Sequence, residues 1–171
     1  MLYIPKKEPK KAAYTSAVSL VIATLLYTAG ELLKVAKMPM QLTALGLFAF
    51  GIMLIARYLL TDYKYVLSDT ERADKGPSFT IVKISGKREI AVATFDLSSV
   101  YKTHRCKSTK AFEKEHGRVD KVFNYCTNYR AEDRFAIAIE FNGMKVLIFI
   151  EADEIFEREI ALRAKRSVDK S

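Results

Sequence analysis

Two apolar runs decide the fold of this chain: AAYTSAVSLVIATLLYTAG at Ala12–Gly30 and MPMQLTALGLFAFGIMLIA at Met38–Ala56. Neither 19-residue run contains Asp, Glu, Lys or Arg. A helix rises about 1.5 Å per residue, so each run covers roughly 28 Å, close to the ~30 Å hydrocarbon thickness of a bilayer. The short polar patch Glu31–Lys37 leaves room for a tight connection only. The sequence therefore predicts a two-helix transmembrane hairpin over residues 12–60.

Basic residues around the hairpin predict its orientation in the membrane. The tail of residues 1–11 contains four lysines and one acid, and the second run is followed by Arg57 and Lys64. The connector between the runs offers only Lys34 and Lys37. Because flanks rich in Lys and Arg stay in the cytosol, we expect both termini and the C-terminal domain on the cytosolic side of the cell membrane.

Small residues repeat along the first run at spacings of three, four and seven: Ser16, Ser19, Ala23 and Gly30. Such a stripe lets another helix backbone approach closely, and Gly46 and Gly51 are the small residues expected to do the same on the second run. We interpret the stripe as packing within the hairpin, and an oligomer interface is the alternative. Glu31, beside Lys34, is expected at the membrane interface.

After Thr61 the apolar pattern changes to short alternating segments separated by turn residues, which predicts a β domain over residues 62–171. The predicted strands are Tyr63–Leu67, Phe79–Ile84, Arg88–Phe95, Leu97–Tyr101, Lys121–Tyr129, Arg134–Phe141 and Met144–Ile150. Asn142-Gly143 predicts a type I′ hairpin turn between the last two strands. In Arg134–Phe141 one face is expected to be buried, opposite Ala136 and Ala138.

Two further segments complete the predicted domain. Thr103–Asp120 is charged and lacks alternation, with a helical turn or two expected at Lys110–His116. Glu151–Arg166 predicts an amphipathic helix that covers the sheets, because acids lead, bases trail and an apolar face repeats at helical spacing. That face consists of Ala152, Ile155, Phe156 and Ile160.

The segments Tyr63-Lys64-Tyr65-Val66-Leu67-Ser68-Asp69 and Val122–Tyr129, with the order of elements around them, resemble bacterial membrane proteins in which a transmembrane hairpin precedes a pleckstrin-homology-like domain. The resemblance implies six to seven antiparallel strands closed by a C-terminal helix. Two features depart from it. Acids outnumber bases in the first loop, residues 69–75, and the chain has no Trp, so Phe156 is expected to take that packing place.

Signatures of enzymes and metal sites are weak. His104, Cys106, His116 and Cys126 contain the atom types of four zinc ligands, but their spacing lacks the close pairs of structural zinc sites. We therefore expect no metal, no cofactor and free thiols. The chain has no nucleophile elbow, phosphate loop or dinucleotide fingerprint, so no catalytic residue is assigned and no enzyme activity is expected. An enzyme using Cys106 or Cys126 remains the alternative.

The charged segment supplies the candidate binding residues: Lys102, Arg105, Lys107, Lys110, Lys114, Arg118 and Lys121. They face three acids, and the chain as a whole carries +8. For a membrane protein the nearest anionic partner is the lipid leaflet, and no nucleic-acid-binding motif is present. We expect a non-enzymatic membrane-anchored interaction module that docks a protein partner or anionic headgroups of the inner leaflet. The alternatives are a plain solvated charge run, or an accessory subunit of a membrane transport or envelope assembly whose hairpin packs on other spans.

Overall fold

The computed structural model describes residues 1–33, 36–68, 77–131 and 134–168. The chain forms two compact units. One comprises Lys7–Asp62, and the other combines Met1–Lys6 with Tyr63–Ser171. The first six residues of the predicted tail thus belong with the β-rich unit, because Leu2–Tyr3 forms a short strand there. The predicted Glu31–Lys34 pair and the acidic loop 69–75 include residues outside the described ranges.

The helical unit contains α1 (Pro9–Leu32) and α2 (Lys37–Leu54), and α2 continues as a π-helical segment at Ile55–Leu59. Proline is tolerated in a first helical turn, where the backbone N–H has no intrahelical partner, which is where Pro9 and Pro39 lie. Both helices are long and apolar enough to cross a membrane. Only 22% and 17% of their most apolar windows are buried, so most of their apolar surface faces outward. The core helix of a water-soluble protein is mostly buried instead.

Small residues form the contact between α1 and α2. The buried residues of α1 are Ala12, Ser16, Ser19, Ala23 and Gly30, which contain the whole predicted stripe. The Ser19 hydroxyl donates a hydrogen bond of 2.8 Å to the Leu47 carbonyl on α2. A Cβ placed on Gly51 would lie 3.0 Å from the Leu20 side chain, whereas a Cβ on Gly46 would meet nothing within 4 Å. The prediction that Gly46 lines the contact is therefore wrong, because Gly46 faces outward.

The β-rich unit has two four-stranded sheets and two helices among its described residues. Its strands are β1 (Leu2–Tyr3), β2 (Thr61–Ser68), β3 (Ser78–Ser85), β4 (Arg88–Asp96), β5 (Val100–Arg105), β6 (Lys121–Asn124), β7 (Arg134–Phe141) and β8 (Met144–Glu151). Its helices are α3 (Thr109–His116) and α4 (Glu154–Val168). The sheet orders are β1-β2-β3-β4 and β5-β7-β8-β6. Residues 97–99 form a 3-10 turn where a fourth strand was predicted to start.

The second sheet departs from the predicted antiparallel arrangement. β6 pairs in parallel with β8, from Lys121 opposite Val146 to Asn124 opposite Phe149, and it ends five residues before the predicted Tyr129. β5 also runs parallel to β8, since both are antiparallel to β7. β5 and β6 therefore run in the same direction, and a chain that connects two such strands needs a crossover. The segment that contains α3 is that crossover between β5 and β6. The charged segment is therefore a β–α–β crossover.

One core takes side chains from both sheets and from α4. Its largest fully buried members include Tyr65, Phe79, Ile137 and Phe156. The centroid of the Phe156 ring lies 4.8 Å from the ring centroid of Tyr3. It lies 6.4 Å from that of Tyr65 and 6.3 Å from that of Phe79. Burial along α4 repeats every four residues through Phe156, Ile160 and Ala164. Ile155, predicted on this face, is instead 70% exposed.

A second core covers the opposite face of the second sheet. Ala136 and Ala138 are fully buried there, in one cluster with Phe112 of α3. The prediction that only one face of β7 is buried is wrong, because alanine side chains leave room for a helix. The Ser108 hydroxyl caps α3 by accepting from the Ala111 N–H at 3.2 Å. The Asn142-Gly143 turn has φ of 51° and 74°, which confirms the predicted type I′ conformation.

Candidate functional site

The crossover from β5 through α3 to β6 contains all seven predicted basic residues. Lys102 and Arg105 lie on β5, Lys107 precedes α3, Lys110 and Lys114 lie on α3, Arg118 follows it, and Lys121 begins β6. Lys110 and Lys114 share one helix face because they are four residues apart. Lys102 pairs with Ala138, so it points to the sheet face that α3 covers.

Arg105 differs from the other six. It pairs with Phe135, which belongs to the core on the α4 side of the sheet. Its Nη2 lies 3.0 Å from the Glu157 Oε1 of α4, and its Nε donates to the same oxygen at 3.1 Å. Arg105 therefore stabilises the contact between β5 and α4, and the structure does not group it with the other predicted binding residues.

We use the name basic crossover surface for the remaining six residues of the crossover: Lys102, Lys107, Lys110, Lys114, Arg118 and Lys121. Lys121 pairs with Val146 of the first core, so it points to the sheet face opposite to that of Lys102. All six are exposed. Within the described part of the chain, none of their side chains forms a hydrogen bond or an ion pair. The chain thus presents six cationic groups whose charge no described acid neutralises by direct contact.

The three acids of the same segment are engaged elsewhere. The Glu113 carboxylate accepts a hydrogen bond of 3.3 Å from the Val119 N–H just beyond α3. The Asp120 carboxylate accepts from the Lys145 N–H at 2.8 Å and so joins β6 to β8. Glu115 faces two histidines. None of the three carboxylates therefore forms an ion pair with the six basic residues.

Exposed apolar side chains lie beside the basic ones, a feature that the sequence analysis missed. Val122 and Phe123 follow Lys121 on the edge strand β6 and are 44% and 43% exposed. Phe141 and Met144 flank the Asn142-Gly143 turn and are also exposed. The sequence signal was the adjacent apolar pair Val122-Phe123, because neighbouring residues of a strand point to opposite faces. Apolar and basic groups side by side suit an interface between water and lipid.

Of the four residues considered as zinc ligands, the structure brings two together. The His104 and His116 rings lie 5.5 Å apart, centroid to centroid, in an edge-to-face arrangement. Cys106 and Cys126 are free thiols buried in the second core. Burial raises the pKa of the Cys106 thiol, and the nearby Glu115 carboxylate adds to the effect. A protonated, buried thiol is a poor nucleophile.

Comparisons of the chain with known proteins do not place it in a family. No family model matches the sequence, no curated protein is significantly similar to it, and no solved structure matches its fold.

Proposed function

We propose that this protein is a non-enzymatic, membrane-anchored interaction module whose basic crossover surface binds anionic headgroups of the inner leaflet of the cell membrane. The observation that carries the proposal is the set of six exposed cationic side chains without an acidic partner in the described chain. Each Lys or Arg close to an anionic leaflet contributes about 1 kcal/mol, so several together are enough to hold a domain at the surface.

Strand pairing supports the topology that the proposal needs. Five residues separate the end of β1 from the start of α1. At the other end of the helical unit, one residue separates Leu59 from the start of β2. β1 pairs with β2, Leu2 opposite Val66 and Tyr3 opposite Tyr65. Because paired strands lie in one compartment, both ends of a spanning helix pair would lie on the same side of the membrane. The lysines of the N-terminal segment favour the cytosol for that side.

The proposed domain type is a variant of the pleckstrin-homology-like fold. Two four-stranded sheets followed by a C-terminal helix support it, and so does the fully buried Phe156 on that helix. The parallel β6 strand and the α3 crossover set this chain apart from an all-antiparallel domain. The basic crossover surface lies on that added element, so we place lipid binding there and not at the first loop.

Lysine labelling of the full chain in lipid nanodiscs tests this proposal. We expect Lys110 and Lys114 to react more slowly with an amine reagent in discs containing phosphatidylserine than in phosphatidylcholine discs, and high salt should remove the difference. Lys87, in the exposed turn between β3 and β4, is the internal control and should react equally in both. Equal labelling of Lys110 and Lys114 in the two lipids would refute lipid binding.

A charge-reversal variant separates a lipid partner from a protein partner. Lys110→Glu with Lys114→Glu should abolish the lipid-dependent protection of Lys102 and Lys107, and Lys83→Glu with Lys87→Glu at the β3–β4 hairpin should not. If the first variant leaves the lipid response unchanged but loses proteins captured by the wild type in mild detergent, the surface docks a protein instead.

A groove beside the α1–α2 contact favours a second candidate function, an accessory subunit of a membrane transport or envelope assembly. The groove has a volume of about 490 Å³, and its lining includes Thr24, Tyr27, Gln41, Leu45 and Phe48. Side chains of a further transmembrane helix fit such a groove. A photocrosslinker at Leu45 should then capture a protein, and one at Gly46, outside the groove, should capture lipid. Lipid capture from both positions would contradict this function.

A further inference from the structure

We propose that His104, Glu115 and His116 form a binding site for a divalent cation of the zinc class, with one coordination position open. The proposal does not depend on lipid binding by the basic crossover surface. It departs from the sequence-based expectation of no metal, because the carboxylate that completes the set was not among the residues first considered. One candidate ligand atom from each of the three residues lies within 4.8 Å of the other two.

Local structure explains why these three side chains meet. His104 pairs with Ala136 across β5 and β7, so its ring points to the sheet face that α3 covers. Glu115 and His116 occupy the last turn of α3, which ends at Gly117 with φ of +87°. The His116 ring packs edge-on against Phe112, 4.8 Å away, and Phe112 is fully buried. The core therefore holds one ligand in place before any cation binds.

The distances fit metal ligation better than hydrogen bonding. The Glu115 Oε2 lies 3.4 Å from the His104 Nε2 and 3.7 Å from the His116 Nε2. Hydrogen bonds of this type span about 2.7–3.2 Å. Two ligand atoms bound tetrahedrally at about 2.1 Å from a zinc ion are about 3.4 Å apart, and octahedral neighbours at the same bond length are about 3.0 Å apart. The two distances from the Glu115 oxygen therefore match tetrahedral ligation, and the two histidine ligand atoms lie within 4.8 Å of each other.

The His116 Nε2 provides an independent observation. This atom is buried and has no hydrogen-bond partner within the part of the chain that the structure describes. A buried nitrogen left without a partner is costly, and a bound cation would satisfy it. The Glu115 carboxylate oxygen, 3.7 Å away, sits beyond hydrogen-bond distance. An unpartnered nitrogen aimed at a second imidazole and a carboxylate is the arrangement expected of a site that lacks only its cation.

The ligand set indicates which cation binds. Two imidazoles and one carboxylate suit zinc and its first-row neighbours, whereas calcium and magnesium prefer oxygen ligands alone. Three protein ligands leave the fourth tetrahedral position to water or to another small ligand. Glu115 supplies the only negative charge of the set, and the surrounding lysines oppose a cation, so the imidazoles must provide much of the affinity. A bound ion would join β5 to the end of α3.

Cobalt titration of the full chain in detergent tests the site on the unaltered protein. The chain has only two histidines, so a purification tag without histidine leaves these as the only imidazoles. We expect one Co²⁺ per chain, with the strong visible absorption of four-coordinate cobalt and no thiolate charge-transfer band, and we expect Zn²⁺ to displace it. Absence of the visible band, or a thiolate band, would overturn the proposal.

Variants assign the ligands. His104→Ala and Glu115→Gln should each weaken Zn²⁺ binding by more than about 100-fold, beyond the 10–100-fold typical of losing a ligand's supporting contact. Glu154→Gln, an exposed acid on α4, and Cys106→Ser are the controls and should bind as the wild type does. Wild-type affinity in Glu115→Gln, or loss of binding in Cys106→Ser, would refute the assignment. The cobalt titration needs no substitution, so a variant that fails to fold leaves that test intact.

Discussion

The helical unit and the β-rich unit bury side chains of opposite size. The described residues of α1 and α2 bury mainly alanine, serine and glycine, with Leu54 as the large exception, and leave most large apolar side chains outside. The β-rich unit buries Tyr65, Phe79 and Phe156 and leaves most of its charged residues outside. In lipid an outward leucine costs nothing and helices adhere through close backbone approach, whereas in water burial of large apolar groups drives folding. This contrast supports α1 and α2 as candidate membrane-spanning helices.

If the β-rich unit depends on its aromatic core, Phe156→Ala should have the largest effect. Removing a fully buried aromatic ring from a core costs about 3–5 kcal/mol. We expect a loss of this size in the free energy of unfolding of the full chain in detergent, followed by the near-ultraviolet circular dichroism of its tyrosines. Ile155→Ala is the matched control on the neighbouring, 70% exposed residue and should change stability by less than about 0.5 kcal/mol. Equal losses would contradict the placement of α4.

If the helical unit depends on small residues, Gly51→Leu should destabilise it by about 1–3 kcal/mol, the usual cost of forcing extra atoms into a packed contact. Even a Cβ at this position lies 3.0 Å from Leu20. Gly46→Leu adds the same atoms to the same helix where nothing lies within 4 Å, so it should be tolerated. Thermal unfolding in detergent, followed by the helical circular dichroism signal, measures both. A larger effect at Gly46 would reverse the assigned faces.

Tyr65 tests the polar side of the aromatic core. Its hydroxyl donates to the Tyr125 carbonyl at 2.9 Å and accepts from the Glu151 N–H at 3.3 Å, so Tyr65→Phe should cost about 1 kcal/mol near neutral pH.

Stability at alkaline pH checks this role of Tyr65. Burial raises the pKa of Tyr65 well above its ordinary value of 10.0. The folded chain therefore keeps a proton that the unfolded chain releases, and stability falls as pH rises above about 10. The phenylalanine variant lacks this proton, so the stability difference should shrink between about pH 8 and about pH 10.5. A difference that grows with pH would refute the assignment.

Long-range pairing explains which parts of the fold the sequence could predict. Local signals identified both long helices, the Asn142-Gly143 turn and the strands β7 and β8, because run length, turn chemistry and alternation are encoded within a few residues. The two-residue strand β1 has no pattern of its own and forms only because β2 offers an edge. The parallel pairing of β6 depends on where the α3 crossover delivers the chain. Neither pairing leaves a local signal.

The candidate site was predictable in composition but not in geometry. Spacing identified the basic segment, and six of its seven residues are exposed along the β5–α3–β6 crossover. Arg105 leaves that set because alternation along β5 turns it toward Glu157. Glu115 was counted as a solvated acid, since no rule of spacing brings a strand residue such as His104 to the end of α3. Contacts between distant parts of the chain decide both where Arg105 points and which residues Glu115 meets.

Ser19 tests the comparison with the smallest expected effect. Its hydroxyl donates to the Leu47 carbonyl of α2, whereas the exposed Thr15 hydroxyl donates to the Lys11 carbonyl of its own helix. Hydrogen bonds between membrane helices average about 0.6 kcal/mol, so Ser19→Ala should lower stability by that amount, and Thr15→Ala should leave it almost unchanged. Unfolding of both variants in detergent measures the difference. If Ser19→Ala has no effect on stability, this hydrogen bond does not contribute, and the close packing around Gly51 holds the two helices together.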